Sequence, residues 1–131
     1  MGRRKENNME RIFVSIMAHP LTEEQKEAAL KEFSVDRIEE IRSPFNIDPK
    51  ASTADIEALA TEFADKVPEG TTVATVAGEL TFTMALTKLL KERGVKVVTA
   101  TTERVSKERV LVDGSVEKTN VFRHVAFREL P

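Results

Sequence analysis

The stretch TVATVAGELTFTMALTKLLKERGVKVVTA, residues 72–100, decides the fold. Its opening residues are rich in β-branched side chains and read as a strand over 72–77. Gly78 breaks that run. Met84, Ala85, Leu86, Leu89 and Leu90 then recur at helical spacing, which predicts a helix over 79–93 with Gly94 as its stop. Val95, Val97 and Val98 start another strand, expected over 95–100. A strand, a crossover helix and a second strand make a βαβ unit, and so a parallel sheet.

The flanking sequence extends this unit. Residues 11–17 are nearly all apolar, so they are expected as a central strand covered on both faces. Thr22-Glu23-Glu24-Gln25 forms a capping box ahead of a helix with Ala29, Leu30 and Phe33 on its inner face. Residues 35–41 read as a weaker strand closed by Ser43-Pro44, and 45–51 as loop. Ser52 and Thr53 can cap a helix whose Ile56, Leu59, Ala60, Phe63 and Val67 form one apolar stripe. After residue 100 the pattern changes. Runs over 105–112 and 115–130 flank Asp113-Gly114, a hairpin turn with positive φ expected at both centres. On the last strand His124 and Arg128, at i and i+4, are expected on one face with Phe122 and Ala126, where they either border a site or belong to an exposed face or a dimer contact. The class is therefore α/β: a Rossmann-like, open, mainly parallel sheet flanked by helices, with a C-terminal antiparallel β-hairpin. One domain is expected over 10–131, after a disordered basic tail over 1–9.

Composition narrows the function. A length of 131 residues suits one domain. The charged fraction is 32%, but the net charge of −2 argues against duplex DNA as a partner. With no cysteine there is no disulfide, thiolate metal site or cysteine nucleophile. No apolar run reaches membrane-spanning length, and the polar start does not resemble a secretory signal, so a cytoplasmic protein without a membrane partner is expected. Tyr and Trp are absent, which weighs against an open stacking platform for single strands. An aliphatic pocket remains compatible with a base.

Ligands of open α/β sheets bind beyond the carboxyl ends of the strands. Three polar segments gather there: Ala18-His19-Pro20, residues 78–83, and Thr101-Thr102-Glu103-Arg104. Gly78 allows close backbone approach, and the helix behind it, with Glu79, Leu80, Thr81, Phe82 and Thr83 in its first turns, offers free amides. That segment reads as a phosphate cradle or as a plain capped turn. His19 is a phosphate donor or proton carrier, or a surface histidine in a turn. Arg104 presents a planar fork suited to phosphate, with Thr101 and Thr102 as hydroxyl donors. Glu103 can orient Arg104, accept a ribose hydroxyl or face solvent. Equally, the whole group can be a solvated start to the hairpin. Neither carboxylate clusters nor a His-x₃-His pair point to a metal, and no cofactor is expected.

The segments AHPLTEEQ, GELT, ATTERV and VDGSVEKTNVFRHVAFREL together resemble the Csx-twenty family of small CRISPR-associated proteins. The resemblance implies a CARF-like Rossmann core, a homodimer, and a ligand, cyclic tetra-adenylate, which some members cut as ring nucleases to switch off type III CRISPR antiviral signalling. Under that resemblance the expected catalytic residues are Arg104, His19, Thr102 and Glu79. Met17, Ala18, Gly78, Leu80, Thr81, Phe82, Thr101 and Glu103 would bind the ligand, with Met17 and Phe82 touching adenine. Cleavage would be metal-independent, by in-line attack of a ribose 2′-hydroxyl. Two alternatives stay open: a binder that senses or sequesters the ring uncut, and a flavodoxin-like mononucleotide or interaction module.

Overall fold

The computed structural model describes residues 10–131; the tail expected over 1–9 lies outside the described residues. Eight elements follow in chain order: β1 (Ile12–Met17), α1 (Glu23–Phe33), β2 (Arg37–Arg42), α2 (Thr53–Ala64), β3 (Thr71–Val76), α3 (Leu80–Glu92), β4 (Lys96–Val110) and β5 (Val116–Glu129). The five strands form one sheet in the order β2-β1-β3-β4-β5. All neighbours are parallel except β4 and β5. This is a Rossmann-like α/β fold with a C-terminal hairpin.

Strand β1 is central because both of its faces are apolar. Ile12, Val14 and Ile16 join Ile56, Ala60 and Phe63 of α2 and Phe82, Leu86 and Leu90 of α3 in one core. Phe13 points the other way, into a core with Ala29 of α1, Val98 and Phe127. Thus α2 and α3 cover one face and α1 the other. Phe13, Phe33 and Phe127 meet with centroids 5.5–5.8 Å apart, a three-way aromatic contact that adds to the area term. Leu30, expected on the inner face of α1, is 41% exposed. The shorter Ala28 and Ala29 take the contact, and so α1 lies close to the sheet.

Both capping boxes form. The Thr22 hydroxyl accepts from the Gln25 amide at 3.1 Å and the Gln25 side chain accepts from the Thr22 amide at 3.0 Å. Ser52 and Asp55 exchange the same pair at the head of α2. On the outer edge strand β2, Arg37 pairs with Glu39 at 2.8 Å and with Glu10 at 3.2 Å.

Three expectations for the C-terminal third need correction. Residues 101–104 are not a turn at a strand end. They lie inside β4, which pairs with β3 only as far as Thr75↔Val98 and then continues with β5 as a two-stranded ribbon. Their polarity marks a strand solvated on both faces, and no Gly or Pro interrupts it. Second, the hairpin loop has three residues. The Leu111 amide donates to Ser115 O at 2.8 Å, the Gly114 amide donates to Leu111 O at 2.9 Å, and Gly114 alone in the turn has positive φ, at 88°. That is a type I turn closed by a glycine bulge, which requires only one left-handed residue. Third, Thr101 pairs with Ala126 but Thr102 pairs with His124, so Val125 is an extra residue in β5. The bulge shifts the alternation. His124 now shares a face with Phe127, ring centroids 4.7 Å apart, and is separated from Ala126 and Arg128.

Glu24 of α1 clasps this bulge. Its Oε2 accepts from Arg123 Nη2 at 2.9 Å and its Oε1 from the His124 amide at 2.8 Å. The Arg123 hydrogen bond, and after it the His124 amide, hold the Glu24 carboxyl below its ordinary value of 4.5. A depressed carboxylate contributes stability above its unfolded pKa and loses it as pH falls through the folded one. Thermal melts taken from about pH 6 to pH 3 should therefore show wild type losing more stability below about pH 4.5 than Glu24→Gln. Parallel curves would mean that the clasp contributes nothing.

Candidate ligand site at the carboxyl edge of the sheet

The strand order reverses between β1 and β3. After β1 the chain leaves toward α1 on one face; after β3 it leaves toward α3 on the other. This opens the crevice where doubly wound folds bind ligands. The ends of the neighbouring strands close over β1: the Ser43 amide donates to Met17 O at 3.1 Å and the Ala77 amide to Ile16 O at 3.0 Å. Ser43 and Gly78 thereby meet. A methyl group built on Gly78 would lie 3.7 Å from Ser43 Oγ and 3.9 Å from Thr83 Oγ1. Both hydroxyls are buried and, among the described residues, neither has a hydrogen-bond partner. Ser43 as a residue is only 3% exposed.

Unpartnered buried hydroxyls are costly, at roughly 1–3 kcal/mol each. Thr72 Oγ1, Thr87 Oγ1 and both His124 ring nitrogens are likewise buried without a partner among the described residues, so what singles out Ser43 and Thr83 is their convergence on a glycine at the switch point, where a ligand or water could complete the bonding. Sequence reading found Gly78 and noted Thr83 but passed over Ser43 as a strand stop. Only the parallel register that seats β2 beside β1 brings Ser43 to Gly78, and no local pattern encodes that.

Around this point the expected residues divide between the two faces. The Ala18 carbonyl accepts from Arg42 Nη1 at 2.9 Å, which pins the loop carrying His19. His19 is exposed, and Met17 is half-buried on the α1 side. Along β4, Val98 and Ala100 pack toward α1, and alternation carries Thr102 and Arg104 to that same side, opposite His124 and Phe122. The Arg104 guanidinium lies over the Phe122 ring at 5.6 Å and, among the described residues, has no ion pair. Thr101 and Glu103 alternate to the α3 side, and the Thr101 hydroxyl donates to Ala126 O at 3.1 Å.

The start of α3 differs from expectation in two ways. Phe82 is fully buried, edge-on to Phe63 at 5.3 Å, so its ring is core and cannot face an adenine. The helix geometry turns Leu80 outward instead, 69% exposed. Glu79 is the N-cap: its Oε1 accepts from the Phe82 amide at 2.9 Å and from the Thr81 hydroxyl. The Thr81 hydroxyl, with the Phe82 amide after it, holds the Glu79 carboxyl below the usual range. Glu79 is therefore an ionised acceptor and a weak base, and the Thr81 proton is committed to it.

The cavity nearest His19 measures about 160 Å³ and is lined by Met17, Pro20, Glu40 and Arg42 among others. Small-molecule pockets run to roughly 300–1,000 Å³, so this one cannot enclose a nucleotide by itself. Among the described residues no three His, Asp or Glu side chains gather as metal ligands, and no helix is long and apolar enough to cross a membrane.

The molecule belongs to the doubly wound α/β class, with its polar crevice at the carboxyl edge. More narrowly, the chain belongs to the Uncharacterized protein MJ1673 family, whose model matches residues 11–128. No curated protein and no solved structure matches it.

Proposed function

We propose that this protein is a cytoplasmic homodimeric ring nuclease that binds cyclic tetra-adenylate at the carboxyl edge and opens it, ending type III CRISPR signalling. The observation that carries the ligand site is the pair of buried, unpartnered hydroxyls, Ser43 Oγ and Thr83 Oγ1, facing Gly78 at the switch point. The sequence resemblance supplies the ligand's identity. A four-fold ring is compatible with a two-fold axis, and a dimer with its carboxyl edges facing provides the enclosure that one copy lacks.

Chemistry needs no metal. The ribose 2′-oxygen attacks the adjacent phosphorus, the bond to the 5′-oxygen breaks, and the 2′-proton passes to solvent water while the 5′-oxygen gains one. The product is linear with a 2′,3′-cyclic phosphate. Arg104, without an ion pair among the described residues, stabilises the charge on phosphorus. Thr102, on the same side, holds a phosphate oxygen, and His19 supplies the proton to the leaving 5′-oxygen. Glu79, weakened as a base by its capping bonds, positions a ribose hydroxyl through its remaining oxygen. The same capping role of Glu79 favours a second reading, a binder that holds the ring uncut.

Excess protein mixed with labelled cyclic tetra-adenylate, with and without EDTA, separates these readings. Linear product that forms equally in EDTA supports the nuclease. A retained, intact ring supports the binder, and a free ring refutes both. The double variant Ser43→Ala/Thr83→Val should weaken ring binding by about tenfold or more while leaving the empty protein as stable or more stable, because two unsatisfied buried groups are removed. Unchanged affinity would detach those hydroxyls from the site.

A further inference from the structure

Two apolar features of this chain are unpartnered within one copy. The first is the tip of the β4–β5 ribbon. From residue 102 to the turn, the ribbon extends about 30 Å at the usual strand rise. It is exposed on both faces, a state in which a two-stranded ribbon is marginal in water. Its polar residues satisfy one another: Arg109 with Glu117 at 2.9 Å, Lys118 with Glu108 at 3.6 Å, and Ser106 with Asn120 at 2.9 Å. The tip leaves apolar side chains uncovered. Val110 and Val116 pair across the strands, 72% and 54% exposed, and Val112 beside them is fully exposed. Asp113 at the apex accepts from the Ser115 amide and hydroxyl through Oδ1, and has no ion pair among the described residues.

The second feature is a groove of about 610 Å³ along α3. Leu80 and Met84 line it at i and i+4, 69% and 63% exposed, with Leu130 also contributing. Lys88, Lys91 and Glu92 stand in the same lining. The groove is apolar with a rim of two cations and one carboxylate, net positive; the tip is apolar with an anionic apex. Helix α3, thirteen residues and so about 20 Å long, is well within the reach of the ribbon.

We propose that two copies of this chain exchange ribbons: the tip of each lies in the α3 groove of the other, with Val112 and Val116 against Leu80 and Met84 and Asp113 toward Lys88 and Lys91. The ribbon is continuous with β4 and projects past its own sheet, so the second copy's groove is the surface it meets. The exchange is self-complementary, as a two-fold dimer requires, and brings the two carboxyl edges toward the axis. It builds on the dimer of the proposed function but not on its ligand.

The chain lacks cysteine, so a designed pair reports the contact directly. Met84→Cys combined with Val112→Cys should give a covalent dimer under mild oxidation, whereas neither single variant should. Wild type should be a dimer by light scattering. Val112→Asp with Val116→Asp should raise the dimer dissociation constant by about tenfold or more. These side chains are exposed in one copy, so unchanged far-ultraviolet circular dichroism should accompany the loss. A monomeric wild type, a double-cysteine variant that fails to cross-link, or a dimer indifferent to the aspartates overturns the exchange. A cross-linking dimer that ignores cyclic tetra-adenylate upholds it and refutes the ligand assignment instead.

Discussion

Arg104→Ala should slow single-turnover cleavage of cyclic tetra-adenylate by about 10²–10³-fold, the usual loss when one donor to transition-state charge is removed. The folded protein should hardly notice. Arg104 is exposed, and its one described partner is the Phe122 ring at 5.6 Å, a contact worth about 0.5–1 kcal/mol at an exposed site. The melting temperature should therefore stay within a few degrees of wild type. Arg104→Lys separates charge from shape. It keeps the cation but loses the planar fork, so its rate should fall between wild type and alanine. Full-speed cleavage by Arg104→Ala would remove this side chain from the chemistry.

Phe82→Ala should have the largest effect on stability, costing about 3–5 kcal/mol. The ring is fully buried, edge-on to Phe63, in the core shared by α2, α3 and β1. Truncation leaves a cavity where α2 and α3 meet, and a domain of this size has only about 5–15 kcal/mol in all. Phe45→Ala, at a side chain 83% exposed and outside the proposed contact between copies, is the control and should change stability by less than about 0.5 kcal/mol. Urea unfolding of both variants, compared at equal slope, decides this. If Phe82→Ala unfolds near the wild-type midpoint, the ring is not part of the core.

The order of elements was legible because each depends on local signals. The stripe Ile56, Ala60 and Phe63, the Thr22 and Ser52 boxes, and the apolar run of β1 are read directly from spacing. What was not legible depends on contacts distant in sequence. Whether Phe82 points in or out is set by how α3 rolls on the sheet, because Leu80, Phe82 and Met84 are all apolar. Residues 101–104 look like a loop because a ribbon wet on both faces has no apolar alternation to reveal it. The bulge at Val125 carries no Gly or Pro to announce it. For the candidate site, Gly78 was visible as a break in a strand, whereas Ser43 became part of it only through the β2–β1 pairing.

The charges of β2 bear on how the molecule avoids aggregation. A free sheet edge is a template on which other chains can add strands without limit. Here that edge reads Arg37-Ile38-Glu39-Glu40-Ile41-Arg42, with Arg37 tied to Glu10 and Glu39. A strand arriving from another molecule would have to strip water from these ion pairs and recover only backbone bonds. Open-ended growth from the β2 side is thereby discouraged.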